Sequence, residues 1–212
     1  MDTHHLETPR TARYHTLGDP SRCCEVWFLL HGYGQRADDL LALCEPLLCD
    51  GRLLVAPEGL SRFYLRGVRG DVGASWMTRD DRELEIRDYL RWLDTLAAHL
   101  PPAGSERRSC VMGFSQGAAT AWRWVLAGHS HVDRLVQWGG GIPPDADLAA
   151  HRPRLERMRI HLVRGESDAV WDEGAFADDC KRLADHAIAH DCHPYAGGHK
   201  VDGAVLRHLA DA

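Results

Sequence analysis

The stretch Ser109–Ala127, SCVMGFSQGAATAWRWVLA, decides how this chain is read. It opens on a short apolar run, Cys110-Val111-Met112, as a buried strand does. Gly113-Phe114-Ser115-Gln116-Gly117 follows, and then a helical pattern to Ala127. A G-x-S-x-G placed between strand and helix marks a sharp turn that lifts a serine hydroxyl above the end of a sheet. Gly113 and Gly117 remove side chains that would crowd that turn. The helix opening at Gln116 aims its unpaired backbone N–H groups at the same place, where they can stabilise negative charge on an attacked carbonyl.

A serine used this way needs a base, and the chain offers one downstream. His199 sits in HPYAGGHKV, after the last expected strand, and Gly197-Gly198 free its loop to bring the imidazole over the serine. An imidazole accepts and returns a proton near neutrality; His193 is the rival. Asp168, in VRGESDAVW just past the expected strand Arg159–Val163, is the acid that would orient His199. Asp172 and Asp191 are its rivals. The order Ser, Asp, His matches the chain order expected with this kind of turn. Between the first core strand and the next helix lies His31-Gly32-Tyr33-Gly34. The backbone N–H of Tyr33 is the candidate second oxyanion donor, beside that of Gln116, and His31 reads as a structural residue that holds the loop.

The rest of the chain alternates strand and helix. Glu25–Leu30 (EVWFLL) reads as a buried parallel strand, Arg36–Cys49 as a helix and Leu53–Ala56 as a strand stopped by Pro57. Residues 58–79 read as a long loop. Asp81–Leu100 is a helix with Ile86, Leu90, Leu93 and Leu96 on one stripe, ended by Pro101-Pro102. Strands are expected at Leu135–Trp138, Arg159–Val163 and Ala187–Cys192, and helices at Phe176–His186 and Val201–Leu209. Arg13–Thr16 is a candidate antiparallel edge strand. The expectation is one α/β domain over residues 1–212, a mostly parallel sheet covered on both faces, with residues 1–10 as a flexible tail.

Composition narrows the function. The 212 residues are 44% hydrophobic and 26% charged with a net charge of -6, which disfavours nucleic acid as a partner. No 18-residue apolar stretch suggests a membrane span, and the N-terminal residues show no apolar leader, so a cytoplasmic protein is expected. Seven Cys include no C-x-x-C pair, and fourteen His are scattered without an H-E-x-x-H pattern. No metal and no cofactor are expected. Cys24 and Cys110 read as small strand residues. The absence of a G-x-G-x-x-G after the first strand argues against a dinucleotide.

With these motifs in view, the chain resembles the phospholipase/carboxylesterase family of α/β-hydrolases, the group that includes acyl-protein thioesterases. The resembling segments are FLLHGYGQRADDL, LLVAPEG, GASWMTRD, MGFSQGA, GESDAVW and AGGHKV, spread over nearly the whole chain. The resemblance implies an α/β-hydrolase fold without a large cap domain. It implies Ser115, Asp168 and His199 as a triad, with Tyr33 and Gln116 at the oxyanion hole. It also implies hydrolysis of a small-molecule ester or thioester, or of a lysophospholipid, by a monomer or homodimer.

The chain departs from that pattern in places. Val170 is followed by Trp171 where the family commonly has proline. Tyr33 stands where a small or aliphatic residue is usual. The segment after Gly141 is polar, with no apolar flap for a long acyl chain. Tyr33, Trp76 and Trp171 are therefore expected to narrow the pocket toward short or compact esters. A non-catalytic binding protein on this scaffold, or a peptidase or acyltransferase, are the other readings the sequence leaves open.

Overall fold

The computed structural model describes residues 1–100 and 108–211. Seven strands form one sheet in the order β1-β3-β2-β6-β7-β8-β9. These are β1 (Tyr14–Leu17), β2 (Glu25–Leu30), β3 (Arg52–Pro57), β6 (Arg108–Phe114), β7 (Arg134–Trp138), β8 (Arg159–Gly165) and β9 (Asp191–Tyr195). All neighbours are parallel except β1, which pairs antiparallel with β3 at the edge. Strands β4 (Ser61–Tyr64) and β5 (Val72–Ser75) make a separate hairpin.

Every residue of β2 is buried because both faces of the sheet are covered. Val26, Phe28 and Leu30 join the core beneath α2 (Arg82–His99) and α3 (Gln116–Ala127), together with α4 (Leu148–Leu155) and α5 (Glu173–Asp185). Trp27 and Leu29 face the opposite core, with α1 (Ala37–Leu43) and α6 (Gly203–Asp211). Side chains alternating along one strand thus feed two separate apolar layers. The fold is α/β, a mostly parallel sheet flanked by helices, with no large cap domain among the described residues.

Several expected elements move. The helix expected over Arg36–Cys49 stops at Leu43, and a 3₁₀ turn at Glu45–Leu47 follows. Pro46 accounts for the break, since it has no N–H to continue the ladder and its ring crowds the carbonyl one turn back. The long loop over 58–79 contains the β4–β5 hairpin. α4 lies where only polar loop was expected; it buries only Leu148 and Leu155, so its pattern is faint, and Asp147 caps it by accepting the Ala150 N–H. The last strand begins at Asp191, after a turn at Ala187 with φ 54°. It carries Pro194, which an edge strand tolerates. Cys24 is exposed and precedes β2. Pro101-Pro102, expected to end α2, lie outside the described residues. The N-terminal segment is exposed, yet Glu7 meets Arg87 and Arg91 of α2.

Candidate active site

Strand β6 ends at Phe114 and α3 begins at Gln116, leaving Ser115 alone in the turn with φ 55° and ψ -117°. A non-glycine residue at positive φ is strained, and it holds here because neighbouring backbone fixes it on both sides. The Ser115 N–H donates to the Trp138 carbonyl at 2.9 Å. The turn tolerates no extra atoms. A Cβ on Gly117 would lie 2.0 Å from the Leu30 carbonyl oxygen, and one on Gly140 would lie 2.2 Å from the Ser115 carbonyl oxygen.

Ser115, His199 and Asp168 come together. His199 Nε2 is 3.1 Å from Ser115 Oγ, and His199 Nδ1 is 2.8 Å from Asp168 Oδ2. With Nδ1–H donating to the carboxylate, Nε2 is left as the acceptor for the serine hydroxyl. The other Asp168 oxygen, Oδ1, accepts the backbone N–H groups of Val170 (2.8 Å) and Trp171 (3.0 Å). Burial alone would push the Asp168 carboxyl up. The Trp171 N–H, His199 and the Val170 N–H outweigh it and hold the group below its ordinary value. Asp168 is therefore a fixed anion at neutral pH.

The rivals have other work. Asp172 caps α5 by accepting the Ala175 N–H at 2.9 Å. Asp191 lies beside His161, and His193 packs against the same histidine.

The loop after β2 is held in a way that singles out Tyr33. Gly32 N–H donates to Gln35 Oε1, Gly34 N–H to the Ala74 carbonyl, and Gln35 N–H to the Gly32 carbonyl. The Tyr33 N–H has no acceptor among the described residues, and neither does the Gln116 N–H at the first position of α3. His31 is fully buried. Its Nε2 accepts the Gly59 N–H at 2.9 Å and its Nδ1 faces the Gly32 carbonyl at 2.8 Å. Burial pushes its pKa down, so the ring braces the loop as a neutral group.

Two aromatic residues expected at the substrate are buried. Trp76 is 1% exposed; its indole N–H donates to the His31 carbonyl at 2.8 Å and its ring stacks on His31. A ring walled in by Tyr89 and the core supports the His31–Gly34 loop from within. Trp171 is 5% exposed and packs edge-on to Phe176, touching the site through its backbone N–H on Asp168. Tyr33, by contrast, is 62% exposed, with its ring 5.2 Å from Phe63 of the hairpin.

Sequence reasoning missed the residues that hold the site together. The Gln116 side chain accepts the Trp76 N–H at 3.0 Å and donates to the Met77 carbonyl at 2.8 Å, tying the elbow to the end of β5. Trp138 Nε1 donates to the Lys200 carbonyl at 3.0 Å, and the Tyr195 hydroxyl contacts the carbonyls of Gly198 and Lys200. Both pin the loop of His199, whose ring rests 4.9 Å from that of Phe114. The unnamed residue in G-x-S-x-G was the one available hint, since a bulky apolar residue there is placed to pack against the base.

Solved structures share this architecture. The acyl-protein thioesterase 2 of Zea mays superposes with a TM-score of 0.74 at 17% identity, over 95% of this chain and 97% of that one. A carboxylesterase from Mesorhizobium loti gives 0.75 at 19% identity over 95% of each chain. Esterase PE8 gives 0.70 at 22% identity, over 95% of this chain and 97% of that one. The chain has the α/β-hydrolase fold. More narrowly, its structure closely matches those of phospholipase/carboxylesterase and acyl-protein thioesterase type. No family model and no curated protein sequence matches the chain. Among the described residues no helix is long and apolar enough to cross a membrane.

Proposed function

We propose that the protein is a serine hydrolase of the phospholipase/carboxylesterase type, cleaving carboxylic esters through an acyl-enzyme. The hydrogen-bonded line Ser115–His199–Asp168, facing two uncommitted backbone N–H groups, carries this reading. His199 Nε2 takes the Ser115 proton as Oγ attacks the ester carbonyl. Negative charge on the carbonyl oxygen is met by the N–H groups of Tyr33 and Gln116. The imidazolium, steadied by the Asp168 anion, returns the proton to the leaving alkoxide. Water activated by the same nitrogen then releases the acid.

Short or compact acyl groups fit best. The reason is Tyr33, whose exposed ring stands beside Phe63 on the loop that would carry an oxyanion donor; Trp76 and Trp171 are turned into the core. An acyl thioester would meet the same nucleophile and donors, and the likeness to an acyl-protein thioesterase structure keeps that substrate as the second reading.

Two measurements test this. A fluorophosphonate should label Ser115 in the wild type and leave Ser115→Ala unlabelled. Initial rates on p-nitrophenyl esters of two to sixteen acyl carbons should peak at the short end and vanish in Ser115→Ala. Labelling that persists in the variant would overturn the nucleophile assignment. A sixteen-carbon optimum would overturn the compact-ester preference alone.

A further inference from the structure

Helix α5 and strand β9 bring together three side chains that the proposed hydrolysis does not use. Cys180, His190 and Cys192 present two sulfurs and a ring nitrogen that all lie within 4.8 Å of one another. The spacing hid this: Cys180 and Cys192 are 12 residues apart, joined through the turn at Ala187. Cys192 is exposed while Cys180 and His190 are half-buried, so the group is open to solvent at the sheet edge.

We propose that Cys180, Cys192 and His190 form a binding site for a soft divalent cation of the Zn²⁺ type. Thiolate and imidazole donors suit that cation. Two thiolates and a neutral imidazole cancel its charge. His190 is already oriented for the task. Its Nδ1 faces the Ile188 carbonyl at 2.9 Å, which fixes the proton there and leaves the Nε2 lone pair free. A backbone acceptor holding the far nitrogen is the usual outer support of a metal-bound histidine.

The sulfurs stand 2.8 Å apart. Bound at ~2.3 Å with tetrahedral angles, they would separate to about 3.8 Å, a shift of about 1 Å that side-chain rotation supplies. A disulfide would instead draw them in to about 2.05 Å. The imidazole decides between the two, because a cystine has no use for a third donor held in place. A metal here would clamp the helix that follows the Asp168 loop to the strand that leads into the His199 loop.

The test is Co²⁺ titration of the full chain after reduction with a phosphine, read by thiolate-to-cobalt charge transfer and the visible bands of tetrahedral cobalt. One equivalent should bind, and Zn²⁺ should displace it. Cys180→Ser and Cys192→Ser should each weaken binding at least ~100-fold and abolish the charge-transfer band, and His190→Ala should weaken it at least ~10-fold. Zn²⁺ should raise the melting temperature of the wild type and leave that of Cys192→Ser unchanged. Far-UV circular dichroism of each variant serves as the check on folding. The proposal fails if reduced wild type shows no stoichiometric charge-transfer band. It also fails if that band survives in Cys180→Ser, or if Cys180 and Cys192 are found as a cystine that resists the phosphine.

Discussion

Replacing Asp168 by Asn removes a charge but almost no volume, and the hydrogen bonds dictate the outcome. Asp168 Oδ1 accepts two backbone N–H groups, from Val170 and Trp171, while Oδ2 faces His199 Nδ1. The Asn amide must keep its oxygen on the two N–H groups. Turning it over would set an NH₂ against both donors, forfeiting two hydrogen bonds, one of them buried, at about 1–3 kcal/mol each. Even the low end, about 2 kcal/mol, leaves the flipped amide at only about 3 per cent. The NH₂ therefore points at His199 Nδ1 and donates to it, so the imidazole proton moves to Nε2. The base then presents a proton to Ser115 where it needs a lone pair. We expect kcat to fall by about 10⁴-fold, equivalent to ~5.5 kcal/mol of barrier, with KM within about threefold. The assay is steady-state hydrolysis of a short p-nitrophenyl ester, with a thermal melt to show that the fold survives. A loss of less than about tenfold would refute the tautomer reasoning. An equal loss in Asp172→Asn would show that the acid had been misplaced.

Other perturbations have equally definite outcomes. Trp76→Phe should keep the stacking on His31 but leave its carbonyl unpaired, lowering stability by about 1–2 kcal/mol in urea denaturation. Because the ring does not face substrate, the acyl-length profile should stay unchanged; a shifted optimum would restore Trp76 to the pocket. Gly117→Ala would set a Cβ 2.0 Å from the Leu30 oxygen, so a loss of about 3 kcal/mol or more is expected, and a wild-type urea midpoint would contradict the elbow geometry. Acid should weaken the fold through its buried imidazoles. Burial first, then His193 and Arg134, lowers His161 from 6.5 to about 4, and burial also lowers His31. The unfolded chain takes up these protons first, so their contribution is full above pH 6.5 and is lost as pH falls toward 4. For His161 that loss is on the order of 3 kcal/mol. Urea midpoints measured from pH 7.5 to 4.5 should fall in the wild type and fall less in His161→Phe.

The strands and the longer helices were legible because burial on both faces leaves near-continuous apolar runs, as in EVWFLL. The α2 stripe repeats cleanly at helical spacing. α4 escaped because only Leu148 and Leu155 reach the core, and its interior holds Pro153. The β4–β5 hairpin escaped because β4 is half-exposed, β5 consists mainly of small residues, and each is only four residues long. Ser115, His199 and Asp168 could be named because each follows a strand in a glycine-bearing segment. The burial of Trp76 and Trp171 was not legible, because aromatic bulk near a motif carries no direction. Only the fold shows that one indole points down onto His31 and that the other contributes through its backbone. The support from Gln116, Trp138 and Tyr195 was not legible at all, since it depends on hydrogen bonds between segments far apart in the chain.

On the proposed mechanism, sheet order also sets when activity can appear. Ser115 follows a central strand, but its proposed base arrives 84 residues later, on the loop beyond β9, the strand that closes one edge of the sheet. The layer that holds Val26, Phe28 and Trp122 can close before β9 is in place, whereas the Trp27 layer also needs Tyr195 of β9 and Leu206 and Leu209 of α6. A chain still emerging from the ribosome would then hold a folded centre with an inert serine. On the proposed mechanism, ester turnover during refolding should accordingly lag behind the burial of Trp122 and Trp124, making the reaction itself a reporter of the final docking step.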